Sequence, residues 1–168
     1  LDRVAGSIAK LKDLSLKYPN LGILVGVPLA TGDSLGRGLY NAAILVHRGR
    51  EIGRAAKTLL PTYDVFDEAR YFDPAPRVET VPFRGENLGI SICEDAWNDP
   101  ELWPDRRMYS SDPIEALVKR GATLLINISA SPFTVGKEEI RFRLIRKHTT
   151  RFKIPFVYVN QVGGNDEL

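Results

Sequence analysis

The sequence predicts one α/β domain, or most of one. Amphipathic stretches alternate with short apolar runs from end to end, the pattern of helices laid on sheets. Of 168 residues, 43% are hydrophobic, enough for one sizeable core. No repeat, low-complexity tract or internal linker interrupts that order.

Val4, Ile8, Leu11 and Leu14 recur at spacings of four and three, so an amphipathic helix opens the chain and Pro19-Asn20 ends it. Ile23 to Pro28 reads as a strand and the glycine-containing Thr31 to Gly38 as a loop. That loop lacks the lysine-serine ending of a phosphate loop and opens no helix. Asn41 to His47 is a strand, His47-Arg48-Gly49-Arg50 a hairpin turn, and Glu51 to Ala56 the return strand that delivers Lys57 at its end. The long segment Leu60 to Pro82, rich in proline and acids, reads as a functional loop. Gly89 to Ile92 is a short buried strand, after which Glu94, Asp95 and Asn98 open an irregular, tryptophan-containing loop. Pro113 to Arg120 is a helix with proline in its first turn and Gly121 as its stop. Thr123 to Ile128 is nearly all apolar, as a strand buried on both faces would be. A helix from Lys137 to Phe152 and a strand from Phe156 to Asn160 complete the order.

Composition excludes several classes. A net charge of +2 gives no electrostatic case for nucleic acid or an anionic membrane. No apolar run reaches the length of a membrane span. One cysteine allows no internal disulfide and fits a reducing compartment. The lone cysteine and two scattered histidines provide no metal-ligand spacing. The basic stretch from Lys137 to Lys153 begins with Glu138 and Glu139, suits the helix dipole, and has an apolar face in Ile140, Leu144 and Ile145; it reads as a solvated helix face. The closing Asn165-Asp166-Glu167-Leu168 has the form of an endoplasmic-reticulum retrieval signal, which means nothing without a secretory leader.

Candidate chemistry centres on Cys93. It sits at a strand end, where sheet proteins expose reactive groups, although a lone cysteine is more often an inert small hydrophobe. Glu94 and Asp95 beside it raise a thiol's pKa, so a nucleophile here needs a nearby cation. Lys57, at another strand end, is such a cation; alone it would be an ordinary solvated edge charge. Either His47 or His148 is a possible partner of the thiol, and nothing in the sequence favours one. Asn127 to Phe133 leaves a buried strand with two hydroxyls before a proline, either a turn or a polar wall beside Lys57 and Cys93.

Four blocks then resemble one family. They are Lys57 to Glu68, Arg70-Tyr71-Phe72, Cys93-Glu94-Asp95-Ala96-Trp97-Asn98, and Asn127 to Phe133; the closing Tyr158 to Glu167 fits as well. Together they resemble the nitrilase-type (carbon-nitrogen hydrolase) amidohydrolase domain of glutamine-dependent NAD synthetases. The resemblance implies a four-layer α-β-β-α sandwich whose first strand-helix unit is missing, with residues 1–168 as a fragment of that domain. It implies a glutamate–lysine–cysteine triad in which Cys93 is the nucleophile and Lys57 stabilises the anionic intermediate. Tyr63, Ser131 and Lys137 match glutamine-contacting positions, Lys137 replacing an arginine of some members, and Glu68 matches a supporting acid. The triad glutamate would lie upstream of every residue here, since the first glutamate is Glu51 in the hairpin; the fragment alone is therefore expected to hydrolyse glutamine poorly or not at all. The resemblance implies no metal or organic cofactor for the glutaminase step. ATP, Mg and deamido-NAD belong to a synthetase domain expected after Leu168. Glutamine and that domain are the implied partners, with a homo-oligomer formed through sandwich faces. A stand-alone amidase or carbamoylase, or a non-catalytic assembly module, are the alternatives.

Overall fold

The computed structural model describes residues 1–99 and 109–164. Residues 100–108, which include Trp103, and the closing Asn165 to Leu168 lie outside the described residues. The elements are α1 (Asp2–Lys17), β1 (Ile23–Ala30), β2 (Leu39–His47), β3 (Arg50–Ala56), β4 (Val81–Phe83), β5 (Glu86–Ile92), α2 (Pro113–Lys119), β6 (Leu124–Ser129), α3 (Lys137–Phe152) and β7 (Phe156–Asn160). Strands β1, β2 and β3 form an antiparallel sheet in that order. The second sheet runs β4-β5-β6-β7; β4 pairs antiparallel to β5, and the other pairs are parallel.

The two sheets pack face to face. Ala43 and Leu45 from the first meet Val81, Leu88, Ile90 and Ile92 from the second, with Leu24, Ile126 and Ile128 packed beside them. Helix α1 lies on the outer face of the first sheet. The outer face of the second sheet is covered around Leu125, which packs with Ile114 and Leu117 of α2 and with Phe152 of α3. The layers are therefore α-β-β-α, with one core between the sheets and another beneath the helices.

Local chemistry explains the joints. Arg48 and Gly49 both have positive φ, 47° and 77°, as the tightest hairpin turn demands. Ser15, fully buried near the end of α1, accepts the Gly49 N–H at 2.7 Å and ties the helix to that turn. Gly53 lies where a Cβ would come within 2.2 Å of Val81, so its missing side chain lets β3 approach β4.

Three expectations need correction. Residues Cys93–Ala96 form a 3-10 turn rather than an open loop, because Asp95 folds back to accept the Ile92 N–H. The segment from Leu60 to Pro82 contains a 3-10 turn at Glu68–Arg70 and ends in strand β4, which runs through Pro82 because an edge strand has no need of that missing N–H. Strand β6 is not apolar and buried alike on both faces. Leu125, Asn127 and Ser129 are buried towards the helices, whereas Leu124, Ile126 and Ile128 are half-buried towards the other sheet. No helix among the described residues is long and apolar enough to cross a membrane.

Candidate active site

The two residues of interest arrive from different sheets. Lys57 follows β3, and its backbone is held on both sides: its N–H donates to Asn41 O at 2.8 Å, and its carbonyl accepts from Ala75 N–H at 2.8 Å. The side chain is 1% exposed and its ammonium donates to Glu68 Oε1 at 2.5 Å. The other Glu68 oxygen accepts from Asn41 Nδ2 at 3.2 Å. A buried ammonium needs such a partner, because an unpaired charge at this depth is strongly destabilising.

Cys93 follows β5. Strand alternation would send its side chain to the helix side with Gly89 and Ser91, but its φ of 45° turns it, and it packs against the core between the sheets. Positive φ is strained for a residue with a Cβ and needs support from its surroundings. Asn127, itself fully buried, supplies part of it by donating to Cys93 O at 3.3 Å and to Ser91 Oγ at 2.9 Å. Ser129 in turn donates to Asn127 Oδ1 at 2.7 Å.

Lys57 and Cys93 line one cavity of about 450 Å³, together with Asn41, Glu68, Ser129 and Gln161. Burial pushes the Cys93 thiol pKa up; the Lys57 charge works against that, Glu94 and Glu68 add to it, and the Ser129 hydroxyl eases it. The net direction is upward, so the thiol is protonated at neutral pH.

The two carboxylates beside the cysteine are fully engaged. Glu94 accepts from Tyr63 OH at 2.9 Å to each oxygen and from Tyr109 OH at 3.2 Å. Burial, followed by the Glu94 charge, raises the pKa of both phenols, which keeps them as donors. Asp95 accepts from the N–H groups of Thr58, Leu59 and Ile92.

The fold has counterparts among solved structures. A solved glutamine-dependent NAD+ synthetase from Acinetobacter baumannii, in complex with ADP, superposes with a TM-score of 0.82 at 28% identity, over 99% of this chain and 28% of that one. A carbon-nitrogen hydrolase from Helicobacter pylori superposes with a TM-score of 0.73 at 23% identity, over 96% of this chain and 52% of that one, and shares the fold. In sequence, the glutamine-dependent NAD(+) synthetase of Synechocystis is 42% identical over 153 residues, 89% of this chain. The chain is thus similar, over most of its own length, to one part of glutamine-dependent NAD(+) synthetases. It spans 27% of the length of that relative. No family model matches the chain.

Cys93, Lys57 and Glu68, drawn from three separate parts of the sequence, line the same cavity. Tyr63 stands beside them through its bond to Glu94. Lys137, the first residue of α3, places its ammonium 5.8 Å from the centre of the Trp97 ring, and burial followed by neighbouring Arg141 lowers its pKa. Ser131 is buried after β6, next to the cavity residue Ala130, and its backbone is fixed by Asn160 and Arg141. Neither histidine is bonded to the thiol. His47 bonds Leu21 O at the hairpin end of its strand, while Cys93 lies towards the Asn41 and Lys57 end. His148 is buried, stacked against Phe152 and Phe156, and its Nε2 bonds Ala96 O at 2.9 Å; burial holds it neutral. The α3 cations are also more than a solvated face. Arg141 donates to the carbonyls of Ser131 and Pro132, Lys147 pairs with Asp99, and Arg151 pairs with Asp112 and Glu115.

Sequence reasoning missed Tyr109, Asn41 and the work of Asn127. Each acts through a partner many residues away, and no local spacing marks it. Asp95 had one signal, its place two residues after the cysteine, which was read only as a perturbing charge.

Proposed function

We propose that the chain is the glutamine-hydrolysing part of a larger enzyme that passes ammonia to a synthetase domain making NAD+ from deamido-NAD+. The supporting observation is the convergence of Lys57 and Cys93, from two different sheets, on one cavity. In this reading Cys93 Sγ bonds to the side-chain amide carbon of glutamine, and its proton passes to a carboxylate. The electron pair moves onto the amide oxygen, which the Lys57 ammonium stabilises. The proton returns to the amide nitrogen, the C–N bond breaks, and ammonia leaves a thioester. Water, deprotonated by the same carboxylate, then attacks the thioester, and glutamate leaves as the C–S bond breaks.

We assign the proton acceptor to a carboxylate of the parent protein outside these residues. Glu68 already divides its two oxygens between Lys57 and Asn41, and Glu51 is paired with Arg54 in the hairpin. Without that base, residues 1–168 alone would lose about 100- to 10,000-fold in rate. Tyr63, Ser131 and Lys137 are assigned to glutamine binding, and Glu68 to support of Lys57. Lys137 there is a single-point cation rather than a guanidinium fork. ATP, magnesium and deamido-NAD+ are assigned to the synthetase part, and the whole to a cytoplasmic homo-oligomer.

The test is ammonia release from glutamine by the full-length parent, with and without ATP and deamido-NAD+, beside Cys93→Ala. Release that depends on Cys93 and rises with the synthetase substrates is expected. A folded parent that turns over other amides but not glutamine would overturn the reading.

A further inference from the structure

We propose that Asp95 is a positioning residue whose buried carboxylate clamps the Lys57 end of one sheet to the Cys93 end of the other, setting the separation of cation and thiol. The inference rests on the roles proposed for Lys57 and Cys93, but not on glutamine being the amide.

The problem that Asp95 solves is geometric. Lys57 follows β3 and Cys93 follows β5, strands of two sheets that share no backbone ladder. Between them lie packed side chains such as Ala55, Ile90 and Ile92. Apolar packing has no preferred direction, so it holds two layers together without setting the relative placement of two particular atoms. Hydrogen bonds are directional and supply what packing lacks. Asp95 Oδ1 accepts the N–H of Thr58 at 3.0 Å and of Leu59 at 2.9 Å, the two residues after Lys57. Its Oδ2 accepts the N–H of Ile92 at 3.0 Å, the residue before Cys93. One side chain, 3% exposed, thus grips the backbone immediately beside both reactive residues.

A plainer role exists for one of these bonds. The bond to Ile92 spans three residues and caps the 3-10 turn, which a purely local cap would also do. The bonds to Thr58 and Leu59 span 37 and 36 residues and add nothing to that turn. They serve only to bring the β3 end to it. A carboxylate suits the task because both of its oxygens accept, whereas an asparagine at this position would present an NH2 group to one of the two chain ends. The same grip also supports Cys93 in its strained conformation, with Ile92 N–H held by Asp95 on one side and Cys93 O by Asn127 on the other.

The test uses the full-length parent and reads Cys93 itself. Wild type, Asp95→Asn, Lys57→Met and the double variant are alkylated with iodoacetamide across pH 7 to 11.5, and the Cys93 peptide is quantified by mass. The thiolate sulfur displaces iodide, so the midpoint of the rate reports the thiol pKa without any amide substrate. Lys57→Met should raise the midpoint by about one unit or more, the usual effect of removing a close opposite charge. Asp95→Asn also removes a negative charge beside the thiol, which lowers the midpoint by a similar amount in either background; displacement of the Lys57 cation adds an upward shift only where Lys57 is present. The shift caused by Asp95→Asn should therefore be more upward with Lys57 in place than in the Lys57→Met background. Equal shifts in both backgrounds, or none in either, would overturn the clamp. Asp95→Asn has nearly the shape of the protonated acid; should it fail to fold by circular dichroism, Asp95→Glu is read through the same cycle, its longer arm displacing the two ends. On glutamine, the clamp predicts a fall in kcat of up to about 100-fold with KM little changed. A parent that leaves glutamine untouched yet shows the Lys57-dependent alkylation cycle would sink the glutamine reading and leave the clamp standing.

Discussion

Around Lys57 and Cys93 the cavity is walled by buried, hydrogen-bonded groups, whereas on its β1 and β7 side it is bounded by two sheet edges. On the first side Lys57 and Ser129 line the cavity, Ser91, Asp95 and Asn127 are buried around Cys93, and each of these has a partner. On the second, Leu24, Gly26, Val159 and Gln161 line the cavity from the ends of their sheets. Val157 and Val159 point towards the space between the sheets, as do their β6 partners Ile126 and Ile128, yet they are 44% and 52% exposed. The difference separates two tasks. Short polar ties hold Lys57 and Cys93 in place on the first side, and half-exposed Val159 bounds the cavity at the sheet edge.

Substitutions on the two sides should differ accordingly. The largest effect is expected for Lys57→Met in the full-length parent. It should lower glutamine hydrolysis by about 100- to 1,000-fold, as the loss of an oxyanion-stabilising group does, measured as ammonia release. Retention of full activity would remove Lys57 from the mechanism.

Next in size is Leu125→Ala on the buried side. Leu125 is fully buried beneath the helices, so truncation should cost about 2 to 5 kcal/mol in denaturant unfolding.

The third effect depends on pH. Burial raises the Asp95 pKa from 3.8 to about 6, against the pull of its three N–H donors and Lys57. The folded form therefore holds a proton that the unfolded form has released. The stabilising contribution is fully present below the unfolded value and is lost as pH rises through the folded one. Wild type should gain about 2 kcal/mol relative to Asp95→Asn between pH 7 and pH 4, read from paired denaturation curves. Parallel curves would show that Asp95 does not titrate differently in the folded state.

The smallest effect is expected on the open side. Val159→Ala should cost less than about 1 kcal/mol, because a half-exposed valine has little burial to lose. A cost in the parent close to that of Leu125→Ala would show that another part of the parent covers this face, and would narrow the comparison between the two sides.

The regular elements were legible where their signals are local. Apolar spacing marked α1 and α3, the Arg48-Gly49 turn marked the β2–β3 hairpin, and β5 ended at the cysteine as expected. Errors arose where a tertiary partner overrides a local pattern. The acidic run after Cys93 looked like a loop and is a 3-10 turn closed by Asp95. Val81, within an apparent loop, is a strand because it pairs with Leu88. The β6 strand looked nearly all apolar, but its polar residues Asn127 and Ser129 are buried in bonds to one another and to β5.

At the site, the sequence by itself determined which groups were available: one thiol, a lysine at a strand end and the acids beside them. Only the tertiary structure decided that Glu68 pairs with Lys57, that Glu94 faces two tyrosines, and that Asp95 bridges the two sheets. Hydrophobic period and turn chemistry act over a few residues and can be read along the chain. The bonds from Asp95 to Thr58 and Leu59 close 37 and 36 residues, and they exist only because the two sheets stack in one register.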